Sequence, residues 1–484
     1  MKTLKYLSVF VLAVFLWGCD EDAMDDINRD RNNASSVDAF ALLPDATLKT
    51  VVTATATDFA WYTSKWIEHS AGQWAQSHDD DRRIGQSATS AWNNHWNGMY
   101  DLQNILRIMR ELTEPGGPEE NNVHALGIAR ILTAYNLAVM TDFWGDIPWT
   151  EAVQGAGNMK PAYDRQSVIY SESPGGIFWY LDQGIANLQQ AIDLGGAAPN
   201  AGGFDYIYNG NNARWIKAAY SLKARYHMRL TQRDGEAASK ALAALANGFE
   251  SAADEFKFTR YEATTLRDNP WFQFMSERSH LAASSTLFNI MDERNDPRIE
   301  SYFTTVGGEY NPAPPGQAER VQGGLYSESL LTETGRTRAT PLMTYHELKF
   351  IEAEARQRAG QPLDNVRTAL QEAIVANFAY HGSDAEAADA YFDAAVASRF
   401  ASDPLEEILT QKYIAAYEYE AMEAYHDYRR TGIPTLHNPH NASVGFPHRL
   451  QYAVSEESNN PDNFIEVNVH TQRVWWAGGD ELVK

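Results

Sequence analysis

A mostly α-helical fold follows from three features of the sequence. Apolar residues recur at three- and four-residue steps over long stretches. Ala-rich segments offer positions where helices can approach closely. The periodic stretches also fall into sequential pairs, as antiparallel helical hairpins do.

In "SAWNNHWNGMYDLQNILRIM", Trp92, Trp96, Met99, Leu102 and Leu106 form one stripe. The run "VHALGIARILTAYNLAVMTDFWGDIP" continues as a second helix, with Gly145 as its expected C-terminal cap and Pro148 just beyond. Trp215, Ala219, Leu222, Tyr226 and Leu230 make another stripe, as do Tyr345, Leu348, Ile351 and Ala355. Leu405, Ile408, Lys412, Ala415, Tyr419 and Met422 close the series. Four helix pairs are expected, over about 90–143, 175–231, 342–378 and 385–428, with Ala129, Ala134 and Ala138 at close-contact positions. No pair spells out the tetratricopeptide consensus, so periodicity alone gives the class "mostly α". Between the second and third pairs, about 255–340 is richer in Gly, Pro and Thr and reads as an irregular, functional stretch. "NFIEVNVHTQRVWWAGGDELVK" at the C-terminal end also lacks helical periodicity.

The N-terminal end reads as a leader. Lys2 and Lys5 precede the apolar run "YLSVFVLAVFLW", which falls short of the roughly 20 residues a spanning helix needs. Residues 1–18 are the expected signal peptide, and 19–37 an acidic tether. Cys19, the single cysteine, cannot form an internal disulfide. Its place after "LWG" resembles a bacterial lipobox, although Trp17 is bulky where a small residue is usual. Lipidation at Cys19 is therefore expected, several acyl chains giving a stable anchor.

Charge excludes some functions. The formal charge is −24, or −26 once Lys2 and Lys5 are removed. Such a surface does not neutralise phosphates, so no nucleic acid is expected as a partner. Catalytic and metal signatures are mostly missing. "HELKF" lacks the second His of a zincin, and there is neither a Walker loop nor a GxSxG elbow. His437 and His440 have no convincing co-ligands, and "HDDDRR" lacks the Gly of a calcium loop, so neither metal nor cofactor is implied. A glycosidase pair needs two carboxyls about 5–9 Å apart, which sequence cannot display. A secreted hydrolase acting on glycans or peptides thus remains the alternative.

Aromatic residues make up 12% of the chain, with 13 Trp and 24 Tyr, more than a core alone calls for. Two aromatic-polar clusters are the candidate ligand sites. In "WYTSKWIEHSAGQWAQSHDDDRR", Trp61 has helical spacing and is assigned to the core. Trp74, His78 and Arg82 fall in an apparent loop, where an exposed indole beside charges can clamp a polar ligand. In "LRDNPWFQF", Trp271, Phe272 and Phe274 follow a proline in the irregular stretch. Arg429 and Arg430 of "YHDYRRTGIP" are read as structural, with Glu352, Glu354 and Glu420 as candidate partners.

Several separated motifs together resemble one family, the SusD/RagB nutrient-binding lipoproteins of the Bacteroidetes outer membrane, in its second large SusD-like branch. They are "TDFWGDIPW" (Thr141 to Trp149), "NNARWIKAAYSLKARYHMRL" (Asn211 to Leu230), "NDPRI" (Asn295 to Ile299) and "YHELKFIEAEA" (Tyr345 to Ala355). They continue with "LTQKYIAAYEYEAMEAYHDYRRTGIP" (Leu409 to Pro434), "FPHRLQYAVSEESNN" (Phe446 to Asn460) and "VWW" (Val474 to Trp476). Ala453 departs from the family, which usually has Pro there. The resemblance implies a single domain over 38–484, with four tetratricopeptide-like helix pairs backing an irregular, ligand-facing half. It also implies a lipid on Cys19, with "DED" similar to a surface-export signal. The implied function is capture of an oligosaccharide or peptide without catalysis and its delivery to a SusC-like TonB-dependent transporter.

Overall fold

The computed structural model describes residues 37–81, 90–195, 201–264, 266–437 and 445–483. Cys19, Arg82, Arg83 and His440, with the leader and most of the tether, lie outside the described residues.

Helix α1 (Ala39–Val51) starts where the Asp38 carboxylate accepts from the Phe40 N–H at 2.8 Å. It widens into a π turn at Val52–Ala56 before α2 (Asp58–Trp66). The Thr55 and Thr57 hydroxyls donate to the carbonyls of Thr50 and Val52, groups that the wider turn frees. Helix α3 (Ser90–Thr113) buries Trp96, Met99, Leu102 and Leu106 as their spacing requires. Helix α4 (Val123–Trp144) has all its residues buried. Among the described residues it alone is long and apolar enough to cross a membrane, but here protein surrounds it on every side. Gly145, at φ 79°, ends it, and its N–H donates to the Thr141 carbonyl at 2.7 Å.

Helix α5 (Ile177–Asp193) lies along α4, and α6 (Asn212–Arg229) along α5. The tightest approach in this layer uses glycines rather than the alanines named above. A Cβ on Gly127 of α4 would stand 2.6 Å from Leu188 Cγ, and one on Gly184 of α5 would stand 2.8 Å from Ile131 Cγ1. Helix α7 (Ala237–Leu245) packs on α6. Helices α9 (Tyr345–Arg358) and α10 (Leu363–Tyr380) form the next pair, around Phe350, Val366, Leu370 and Ile374. From 385 on, the chain is more broken than its periodicity suggests. Short helices and a π turn lead to α11 (Pro404–Ala415), capped by Asp403, and then to α12 (Ala421–Thr431), closed by Gly432 at φ 76°.

The stretch 255–340 is less irregular than expected. It holds α8 (Pro270–Arg278), a short helix at Ser285–Asp292, and three strands. The strands of the molecule are β1 (Ser70–Gly72), β2 (Ile147–Pro148), β3 (Tyr163–Asp164), β4 (Phe256–Phe258), β5 (Leu281–Ala283) and β6 (Thr340–Met343). All pair antiparallel, as β1–β5, β2–β3 and β4–β6. The β1–β5 register, Ala71 opposite Ala282, draws the chain around Trp61–His78 against the 270–280 segment.

A buried ionic web ties the helices together. Arg225 of α6 reaches Glu347 of α9 (2.8 Å), while Arg229 reaches Asp142 of α4 (3.1 Å) and Glu423 of α12. Arg430 grips Glu354 with both Nη groups and Asp427 at 2.8 Å, and Lys412 of α11 holds Asp427 at 2.7 Å. Arg429 lies between the rings of Tyr425 and Trp476 and donates to the carbonyls of Asp142 and His448. Of the three named partners, Glu354 alone binds this arginine pair. Glu352 holds Lys349 and Arg356, and Glu420 accepts from His346 and Thr344.

Candidate functional site

A cleft of about 1030 Å³ opens where α1, the π turn, α2 and α8 meet the segment 258–268. Its wall is an aromatic pair, Trp61 of α2 and Phe274 of α8, with ring centroids 4.0 Å apart and planes 16° from parallel. Stacking of this kind holds each ring against the other, and both residues line the cleft. Half-buried Tyr206 and Tyr261 line it as well. The Tyr261 hydroxyl is hydrogen-bonded to Thr340 at 2.7 Å, and burial pushes its pKa up, so it stays a neutral phenol. Leu48, Val52 and Leu266, three of the exposed large apolar residues, sit at this cleft, Leu266 at 86% exposure and φ 75°. An aliphatic side chain so exposed in the left-handed region is a strained arrangement of the sort found at binding sites.

The polar rim is partly committed. Arg267 pairs with Glu262 at 2.9 Å, and Arg260 donates to Asn209 at 2.6 Å while lying over the Tyr206 ring. Asp268 accepts from Gln273 at 2.6 Å and from Arg336 at 3.0 Å. Burial raises the Asp268 pKa, but these hydrogen bonds outweigh it and hold the carboxyl below its usual range. Asp268 is therefore unsuited to donate a proton as a general acid. Glu277 and Arg278 form no ion pair among the described residues. An aromatic wall with fork-shaped and carboxamide groups around it can stack on a pyranose face and hydrogen-bond its hydroxyls.

The structure places the named residues differently from one another. Trp271 is 2% exposed, with its ring edge-on to Tyr419, and borders the small pocket that also holds Phe272 rather than the aromatic cleft. The cause is local. Asn269 caps α8 by accepting from the Trp271 and Phe272 N–H groups, and this winds "PWFQF" into a helix whose inward face takes Trp271. Phe272 is half-buried in a separate pocket of about 270 Å³, under the Arg336 guanidinium. The apparent loop after Trp74 is a short helix, Ala75–Asp81. His78 is buried there and bonded through Nε2 to the Ala318 carbonyl at 3.1 Å. Trp74 is half-buried, with Arg320 over its ring at 5.8 Å. The cleft is lined instead by their neighbours Trp61, Gln76, Gln273 and Phe274. Helical spacing put Trp61 in the core because periodicity cannot see where a helix runs out of neighbours.

A second groove, about 750 Å³, runs along α10 by Tyr345, Val375 and Tyr380. Its polar groups are already matched, Lys257 with Glu255 at 2.8 Å and Gln371 with Asp389 at 2.6 Å.

The mostly helical scaffold is of the SusD-like class. The family model described as "Starch-binding associating with outer membrane", SusD-like, matches residues 31–453, and the chain belongs to the SusD/RagB family. Among solved structures, a SusD/RagB family protein from Bacteroides thetaiotaomicron is 31% identical, with 92% of this chain and 100% of that one covered and a TM-score of 0.81. A chitin-binding SusD homolog from Flavobacterium johnsoniae is 22% identical over 90% of this chain and 98% of its own, at a TM-score of 0.72. A SusD homolog from Parabacteroides distasonis, 19% identical over 91% and 98%, superposes at 0.75. At those lower identities the likeness shows the fold alone. A search of curated proteins found no match.

Proposed function

We propose that this protein is a cell-surface nutrient-binding lipoprotein, anchored through Cys19, that captures an oligosaccharide in the Trp61–Phe274 cleft. It delivers the ligand intact to a SusC-like TonB-dependent transporter in the outer membrane. The observation that carries the reading is the stacked aromatic wall of a cleft wide enough for several sugar rings. The family description, starch binding in association with the outer membrane, supports it. A peptide is the other ligand that such a rim accepts.

Calorimetry of the chain from Asp20 onward against starch, chitin and other oligosaccharides, and against peptides, tests this, with product analysis of each hit. A ligand bound and recovered intact, with affinity lost in Trp61→Ala, supports capture at the cleft. Cleavage of a hit would establish the hydrolase alternative. Binding that is indifferent to Trp61→Ala but lost in Trp74→Ala or Phe272→Ala would move the site to those residues.

A further inference from the structure

Helix α3 presents Gln103, Arg107 and Arg110, at steps of four and three, to a second pocket of about 540 Å³. Trp149, which follows β2, and Tyr180 of α5 line it too, their rings edge-to-face at 6.0 Å. The Trp149 indole is fixed by a 2.7 Å bond from Nε1 to the Gly175 carbonyl. This pocket shares no lining residue with the aromatic cleft.

Its polar groups are incompletely satisfied. Arg110 is only 8% exposed, yet it makes no ion pair among the described residues. It donates to the Thr133 hydroxyl and lies over the Tyr180 ring at 5.1 Å. Burial, with Arg130 nearby, makes its charge costlier than that of an ordinary guanidinium, although Glu114 and Glu111 offset part of this. Gln103 is 1% exposed, and its Oε1 accepts no hydrogen bond. Its Nε2 reaches only the Met140 sulfur, at 4.0 Å. The Nε–H of Arg107 also lacks an acceptor, while its Nη groups hold Glu111 and Asn104. Buried charges are normally paired and buried amides bonded, so these groups together ask for a ligand that supplies what they lack. The complement is an anionic oxygen for the arginines, a hydroxyl for Gln103 Oε1 and an apolar ring face for the aromatics.

We propose that this pocket is a second saccharide site, specific for a sugar bearing a carboxylate. The carboxylate meets Arg110 and the free edge of Arg107, a ring hydroxyl donates to Gln103, and the ring lies against Trp149 and Tyr180. Glu111, which also lines the pocket, opposes a second negative charge and selects a singly charged acid. The volume suits one or two sugar units.

The test is calorimetric titration of the chain from Asp20 onward with D-glucuronate, D-glucose and sodium sulfate. Saturable glucuronate binding, at least about tenfold tighter than glucose, is expected, with a loss of about tenfold or more in both Arg110→Met and Gln103→Leu. Gln103→Leu keeps or raises the melting temperature, because it removes an unsatisfied buried oxygen, so its binding loss is separable from misfolding. Trp61→Ala leaves glucuronate binding unchanged. Glucuronate bound no better than glucose, sulfate bound as tightly as glucuronate, or wild-type affinity in Gln103→Leu would each overturn the proposal. So would loss of glucuronate binding in Trp61→Ala.

Discussion

Mild acid should destabilise this protein through histidines that are buried uncharged, and His69 isolates the effect. His69 is fully buried, packed on the Tyr413 ring at 4.3 Å, with Nε2 2.8 Å from the Tyr413 carbonyl. Burial lowers its pKa to about 3, with the carbonyl opposing that shift. The sign follows from proton counting. Below pH 6.5 the unfolded chain takes up a proton that the folded chain refuses, so stability is complete above 6.5 and is lost as pH falls toward 3. At pH 5 the unfolded imidazole lies about 1.5 pH units below its midpoint, a loss of about 2 kcal/mol from this one group. With an unfolding entropy of about 2 cal/mol/K per residue over roughly 450 residues, that is a fall of about 2 °C in Tm. His69→Gln keeps a donor for the Tyr413 carbonyl and removes the titration. Melting curves of both proteins at pH 7 and pH 5 should therefore show a smaller acid-induced drop in the variant, by about 2 °C. Equal drops would refute the assignment of His69 as a buried neutral group. His227, lowered by burial to about 4, and His381 and His426, also lowered by burial, add to the slope in the wild type.

Trp61→Ala should weaken oligosaccharide binding by about tenfold. Losing about 50 Å² of covered sugar face is worth about 1.3 kcal/mol, and titration calorimetry reads it directly. Trp271→Ala should instead cost about 3–5 kcal/mol of stability in denaturant titration and leave ligand affinity near wild type, since that indole packs in the core. Arg430→Met should destabilise by about 3–5 kcal/mol, a fall of about 3–5 °C in Tm, because Glu354 stays buried without the guanidinium that grips both its oxygens and Asp427 is left to Lys412. Gly127→Ala should loosen the contact between α4 and α5 by about 1–3 kcal/mol, seen as a lower melting temperature.

The helices were legible because burial imposes a period. Trp96, Met99, Leu102 and Leu106 lie inside as their spacing demanded, and Gly145 ends α4. The residues that face the cleft were less legible. Trp61 and Trp271 are both indoles at helical spacing, and only the ends of the neighbouring elements decide that the first is half-exposed and the second enclosed. The pairing of β1 with β5, some two hundred residues apart, has no local signature, yet it brings the two aromatic segments together. The stripe Gln103, Arg107, Arg110 was present in the sequence as the polar face of α3. A polar helical face usually meets solvent, and nothing local shows that this one meets a pocket wall instead.

The ionic web that joins α4, α6, α9, α11 and α12 has a mechanical consequence. Interlocked buried charges resist sliding, since a small displacement strands an ion without a partner. Displacing one of these five helices would cost its neighbours their ion pairs, so the five are expected to move as one piece.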